Sequence, residues 1–213
     1  MKVKICGITN KDDAVWAINY GADFIGLNFY KESPRHISLS NVAQWIAQIP
    51  SFAQTVGIFV NETKENIVKA VDKLGLKGLQ LHGDESPQFV KELKAAFQVQ
   101  NRPIFIIKAF RIHDESSLPQ LESFGKAADY FLLDSMVPGE VGGTGARFKW
   151  DLAVEAKKFG KPIFLAGGLN PENIREAVKK VAPFAVDVAS GVEKSPKRKD
   201  LLKVQEFITR AKK

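Results

Sequence analysis

Three side chains in this sequence could move protons or hold a charge. They are a lone cysteine, Cys6, in VKICGITN; an aspartate, Asp134, closing the apolar run YFLLD; and an arginine, Arg35, in ESPRHIS. A thiol at the end of a short apolar run is a base or nucleophile when cations or a helix dipole lower its pKa from about 8.5. Otherwise it is a small buried hydrophobe. Lys4 and Lys108 are the cations the sequence offers as neighbours. A carboxyl group at the end of a buried run is pushed up by desolvation, which suits a general acid; the alternative is an anchor that accepts loop hydrogen bonds. Arg35 is either a fork for a substrate carboxylate or a solvated surface arginine. His82, in LHGDE, either lines the same mouth or holds a loop, and His36 and His113 sit in loops without a role. Three scattered histidines, with no H-x-x-x-H or paired-carboxylate pattern, argue against a metal site.

Glycines supply a second kind of chemistry. Gly167 and Gly168 in AGGLNPEN stand before a helix start, and Ser190 and Gly191 in ASGVE form the next such turn. Gly143 and Thr144, in VGGTG, form a third. Glycine lets backbone N–H groups approach an anion closely, and a helix N-terminus adds partial positive charge. One glycine pair is an ordinary turn; three such loops on one rim favour a phosphate.

Those groups need a scaffold that gathers them. Eight short apolar runs recur, at residues 3–6, 22–29, 54–60, 77–83, 103–110, 128–135, 162–168 and 184–191. Most are nearly continuous in Val, Ile, Leu and Phe, as strands buried on both faces are. In the first, Val3 and Ile5 are read as inward and Lys2 and Lys4 as outward. Between the runs lie helical stripes with recognisable starts at Asn10, Ser40, Thr63, Ser86–Pro87 and Asn170–Pro171, and with stops at Gly21, Gly75 and Gly160. Pro119 interrupts residues 114–126 and predicts a short or late helix there. Eight strands alternating with helices predict one closed (β/α)8 barrel of parallel strands, a single domain over residues 1–213. Its two long connections, residues 28–40 and 135–150, follow the second and sixth strands on the carboxyl rim, where such folds build their sites. Cys6, Asn28, Asn61, His82, Lys108, Asp134 and the glycine loops then stand at strand ends and converge on one mouth, with Arg35 in the long loop after strand two and the phosphate loops after strands seven and eight.

The bulk composition narrows the class. A chain of 213 residues with 45% hydrophobic and 26% charged residues reads as an ordinary globular protein. One cysteine forms no internal disulfide, the N-terminus lacks an apolar signal segment, and no run is long enough to span a bilayer. A reduced, cytoplasmic protein without membrane partners is expected. From Ser195 onward seven basic residues face two acidic ones, so the tail carries most of the formal +7. A solvated last-helix face explains it better than nucleic acid, because aromatics are not interleaved with the charges.

Together KICGIT, GLNFYKESPRHIS, LQLHGDE, LLDS, GGTG, AGGLNPEN and DVASGVE closely resemble the phosphoribosylanthranilate isomerase family of tryptophan biosynthesis, in order and spacing over essentially the whole chain. The resemblance implies an Amadori rearrangement of N-(5-phosphoribosyl)anthranilate. It places the general base on Cys6, the general acid on Asp134 and the anthranilate contact on Arg35. The iminium forms within the substrate, so no cofactor is expected, and the partner is that small phosphorylated molecule, acted on by a monomer or homodimer. One departure is visible. The family often has SPG near the end, where this chain reads Ser195, Pro196, Lys197, so that loop is expected to alter. Two related barrels compete. A ribulose-phosphate epimerase should show metal-binding His and Asp at strand ends. An indoleglycerol-phosphate synthase would lead with a lysine, for which Lys108 is of the right type.

Overall fold

The computed structural model describes residues 1–99, 101–134 and 145–213. Eight strands close into a barrel: β1 (Lys2–Ile5), β2 (Phe24–Asn28), β3 (Gln54–Phe59), β4 (Gly78–Leu81), β5 (Phe105–Arg111), β6 (Tyr130–Asp134), β7 (Ile163–Ala166) and β8 (Ala185–Val188). Every neighbouring pair is parallel, and β8 closes on β1 with Lys4 opposite Asp187. The expected barrel is therefore present, with all eight apolar runs as its staves.

Two cores hold it together. The larger lies between strands and helices and includes Val3, Ile5, Leu27, Leu79 and Leu133. The smaller fills the barrel and includes Phe24, Val56, Ile107, Leu132, Phe164 and Ala185. Edge-to-face contacts link Phe164 to Phe24 at 5.3 Å and to Tyr130 at 5.5 Å, forming an aromatic floor near the amino ends of the strands. One expectation is corrected here. Val3 and Ile5 face the helices, whereas Lys4 points into the barrel and is fully buried. A period of two separates two faces, but it cannot tell solvent from the inside of a closed barrel.

The helices are α1 (Lys11–Asn19), α2 (Leu39–Ala43), α3 (Lys64–Leu74), α4 (Pro87–Val99), α5 (Gln120–Phe124), α6 (Gly145–Glu155), α7 (Ile174–Val181) and α8 (Leu201–Lys212). Asn10, Thr63 and Ser86 accept from the amides of Asp13, Asn66 and Phe89, as capping residues should. The cap of α2 is Ser38, whose hydroxyl accepts from the Asn41 amide, and not Ser40. Ser40 lies inside the first turn, its hydroxyl 3.0 Å from that of Ser38. Gly75 and Gly160 end their helices in the left-handed region, and α5 starts late, after Pro119. A small hairpin, β9 (Glu193–Ser195) and β10 (Arg198–Lys199), precedes α8. Lys197 takes the left-handed φ of +69° at its turn, a conformation that favours glycine. The Thr9 hydroxyl donates to the Lys197 carbonyl at 2.7 Å and ties the turn to the end of β1.

Candidate active site

Cys6 follows β1 on the carboxyl rim, with its amide donating to the Val188 carbonyl at 2.8 Å. It shares the side of β1 that Lys4 occupies, so its thiol opens toward the mouth and is partly exposed. Glycines make room around it. A Cβ on Gly26 of β2 would come 2.9 Å from the Cys6 sulfur, and a Cβ on Gly7 would come 2.4 Å from Cδ of Arg35. Gly7 also holds φ of +72°, which turns the chain out of the barrel. The Arg35 stem therefore crosses the end of β1 beside the thiol.

The loop after β2 delivers Arg35 by folding back on itself. Asn28 accepts from the Tyr30 amide and donates to the Ser33 hydroxyl, which in turn accepts from the Arg35 amide. Ile37 then donates to the Asn28 carbonyl. Glu193 grips the guanidinium with two bonds, from Nε at 2.8 Å and Nη2 at 2.7 Å. Lys199 donates to the same carboxylate at 3.0 Å and to the Ala189 carbonyl at 3.0 Å. Glu193 thus takes one edge of the guanidinium, and the edge that includes Nη1 is the one available to a ligand. Lys199 is buried and paired, so this part of the basic tail is not a solvated face.

Across the barrel, Asp134 ends β6 and His82 follows β4. His82 Nε2 stands 3.8 Å from the Asp134 carboxylate. Its Nδ1 bonds to the Gln80 amide nitrogen at 2.9 Å. Gln80 accepts from Lys4 at 2.9 Å, and Lys4 donates to Asp187 at 2.9 Å. A buried polar chain thus runs from β8 through β1 to β4 beneath the mouth. Gln80 and Asp187 were not candidates from the sequence. The signal for them was one polar residue inside each of the apolar runs GLQL and AVDV. Lys108 belongs to a different knot. It donates to Glu85 at 2.8 Å and to the Gly83 carbonyl at 2.6 Å, while Glu85 also accepts from the Asn61 amide at 2.9 Å. That ion pair ties β5 to the loops after β3 and β4 and leaves Lys108 no role beside Cys6.

Gly167 and Gly168 hold φ of +87° and +64° after β7. Asn170 accepts from the amides of Glu172 and Asn173, and Asn173 donates to the Gly168 carbonyl, which shapes the entry to α7. Ser190 and Gly191 open a short 3-10 turn after β8. A Cβ on Gly191 would come 2.0 Å from the Leu169 carbonyl oxygen, so the two loops touch backbone to backbone. Gly143 and Thr144 lie outside the described residues. Among the described residues no three of His, Cys, Asp and Glu gather as a metal-ligand set.

The sequence pattern of the N-(5'phosphoribosyl)anthranilate (PRA) isomerases matches residues 3–210. The chain belongs to the PRA isomerase family. The N-(5'-phosphoribosyl)anthranilate isomerase of Geobacter sulfurreducens is 48% identical over 212 residues, covering 100% of this chain and 98% of its own. The crystal structure of the Thermotoga maritima phosphoribosyl anthranilate isomerase superposes with a TM-score of 0.89 at 38% identity, covering 100% of this chain and 98% of that one. A phosphoribosyl anthranilate isomerase in complex with reduced 1-(o-carboxyphenylamino)-1-deoxyribulose 5-phosphate superposes with a TM-score of 0.87 at 35% identity, again over 100% and 98%.

Within this PRA isomerase barrel the buried charges set the ionisation of the site. Burial pushes the Cys6 thiol above its ordinary value and the Asp187 charge adds to this; Lys4 and Lys199 pull the other way without cancelling it. Burial also opposes the Lys4 ammonium, but Asp187 and Cys6 outweigh it and hold Lys4 above the usual lysine value. His82 is lowered to about 4, first by burial and then by the positive charges of Lys4, Arg111 and Lys108, so its ring is neutral near pH 7. Glu193 is buried, which would raise it, yet Arg35 and Lys199 hold it below the usual carboxylate range. Of the two cations the sequence offers as neighbours, Lys4 does act on the thiol, but desolvation and Asp187 outweigh it.

Proposed function

We propose that Cys6 and Asp134 are the base and acid of the family's reaction, the isomerisation of N-(5-phosphoribosyl)anthranilate in tryptophan biosynthesis. What supports this is the topology: Cys6 follows β1 and Asp134 ends β6, both on the carboxyl rim of one closed barrel. Arg35 lies against the Cys6 side and His82 against Asp134. Asp134 gives its proton to the ribose ring oxygen. The bond from that oxygen to C1′ breaks, and the anthranilate nitrogen lone pair forms the iminium. Cys6, as thiolate, takes the proton from C2′; the C–H electron pair forms the C1′=C2′ double bond and the iminium π pair returns to nitrogen, giving an enolamine. Tautomerisation gives the 1-deoxyribulose ketone. Arg35 binds the anthranilate carboxylate through the guanidinium edge that Glu193 leaves. The phosphate rests on the backbone of Gly167, Gly168, Ser190 and Gly191.

The two rival barrels lose ground for stated reasons. Lys108 is committed to Glu85, which removes the lysine a synthase would use. An epimerase's strand-end metal ligands do not gather among the described residues. We place the enzyme in the cytoplasm as a monomer or homodimer; among the described residues no helix is long and apolar enough to cross a membrane. A crystal soaked with the reduced product analogue tests the assignment. The Cys6 sulfur and the Asp134 carboxylate should flank the sugar from opposite faces, with the phosphate on the loops after β7 and β8. An analogue lying with both groups on one face, or with its phosphate elsewhere, would refute it.

A further inference from the structure

The polar chain beneath the mouth has a direction. Lys4 carries an ammonium that can only donate, so the Gln80 atom facing it at 2.9 Å is the amide oxygen. The Gln80 NH2 group therefore faces His82 Nδ1 at 2.9 Å and donates to it. A ring nitrogen that accepts carries no proton, so in the neutral ring the proton sits on Nε2, the nitrogen 3.8 Å from Asp134. We propose that Gln80 is a positioning residue for the acid. Oriented by Lys4, it fixes His82 as the Nε2–H tautomer and so presents an N–H, not a lone pair, to Asp134.

This rests on Asp134 being the acid and adds a device to that reading. When Asp134 passes its proton to the ring oxygen it becomes a carboxylate. An N–H aimed at it stabilises the charge as it develops, and a lone pair there would oppose it. The separation of 3.8 Å exceeds a direct hydrogen bond, so the N–H acts on the carboxylate, as it forms, through its dipole. Asp187 anchors the far end by holding Lys4. Asp187, Lys4 and Gln80 are buried strand residues beneath the site, and His82 follows β4 directly, its amide held by the Phe59 carbonyl at 2.9 Å.

Ring 15N spectra of the full chain at pH 7 test this directly, with His36 and His113 as internal references. In the wild type, His82 should show a protonated Nε2 and an unprotonated Nδ1; the reverse pattern overturns the proposal. Gln80→Glu replaces the donor by an acceptor of nearly the same shape. It should move the proton onto Nδ1, or protonate both nitrogens. It should also lower kcat about tenfold or more while KM changes about twofold or less. A shifted proton with unchanged kcat, or an unshifted one, overturns the proposal. If Gln80→Glu does not fold, Gln80→Met removes the donor without adding charge. It should give a mixture of tautomers and a smaller fall in kcat, and wild-type behaviour in both would count against the idea. Turnover by Asp134→Asn at the wild-type rate would instead remove the acid assignment, and the tautomer in the wild-type spectrum would still be read independently.

Discussion

Cys6 is the only cysteine in the chain, so its titration can be read without interference. Burial and Asp187 raise the thiol, and therefore the thiolate population is small at neutral pH and grows as pH rises past the ordinary thiol value. Alkylation by iodoacetamide should accelerate with pH and reach its midpoint above that of a free cysteine. Asp187→Asn removes a charge that opposes the thiolate, so it should shift the midpoint downward and quicken alkylation at pH 7. An unchanged midpoint in that variant would mean that Asp187 does not control the thiol. Glu193 is the other residue whose weight can be measured. It neutralises buried Lys199 and grips Arg35, and losing one partner of a buried pair is strongly destabilising. Glu193→Ala should lower unfolding stability by about 3 kcal/mol and raise KM through a loosened Arg35. Denaturant unfolding at the wild-type midpoint would contradict this.

At the scale of elements, the turn of the β9–β10 hairpin carries its own prediction. Lys197 sits at φ of +69°, where a Cβ crowds the following carbonyl. Lys197→Gly should raise stability by about 0.5 kcal/mol or more once the added freedom of the unfolded chain is counted. Thermal unfolding no higher than wild type would argue against strain at this turn. All eight strands were legible in the sequence because a barrel buries both faces of each strand, leaving long apolar runs. Most of the helix starts were legible because capping chemistry is local; α7 is an exception, beginning at Ile174 after Asn173 and past the expected Asn170–Pro171, because Asn170 spends its side chain on the amides of a preceding turn. Ser38 was missed because Ser38 and Ser40 both precede the same apolar stripe, and only the backbone decides which hydroxyl meets the third amide. Lys4, Gln80 and Asp187 were illegible as a set. Each is a single polar residue in an apolar run, and only closure of β8 on β1 brings two of them face to face. Glu193 and Lys199 were hidden in a charged tail that reads as solvated until the hairpin folds it against Arg35.

The molecule as a whole joins a buried ion-pair layer to an open mouth, and this makes its stability depend on pH. His82 is neutral in the fold with a pKa of about 4, against an ordinary value of 6.5. Above pH 6.5 neither the folded nor the unfolded chain binds this proton. As pH falls below 6.5 the unfolded chain gains it first, so folding loses stability until the native ring also protonates near pH 4. The full effect is bounded at about 3 kcal/mol. His82→Gln should therefore lose less stability than the wild type between pH 7 and pH 4.5, measured by urea unfolding, and an equal or larger loss would contradict the neutral buried ring. The central claim concerns the two groups that this scaffold holds apart across its mouth. The most direct measurement is the steady-state turnover of N-(5-phosphoribosyl)anthranilate by Cys6→Ala and by Asp134→Asn, each shown to unfold as the wild type does. We expect each to lose about 10² to 10⁴ in kcat or more; a rate within about tenfold of wild type in either variant would remove that residue from the chemistry.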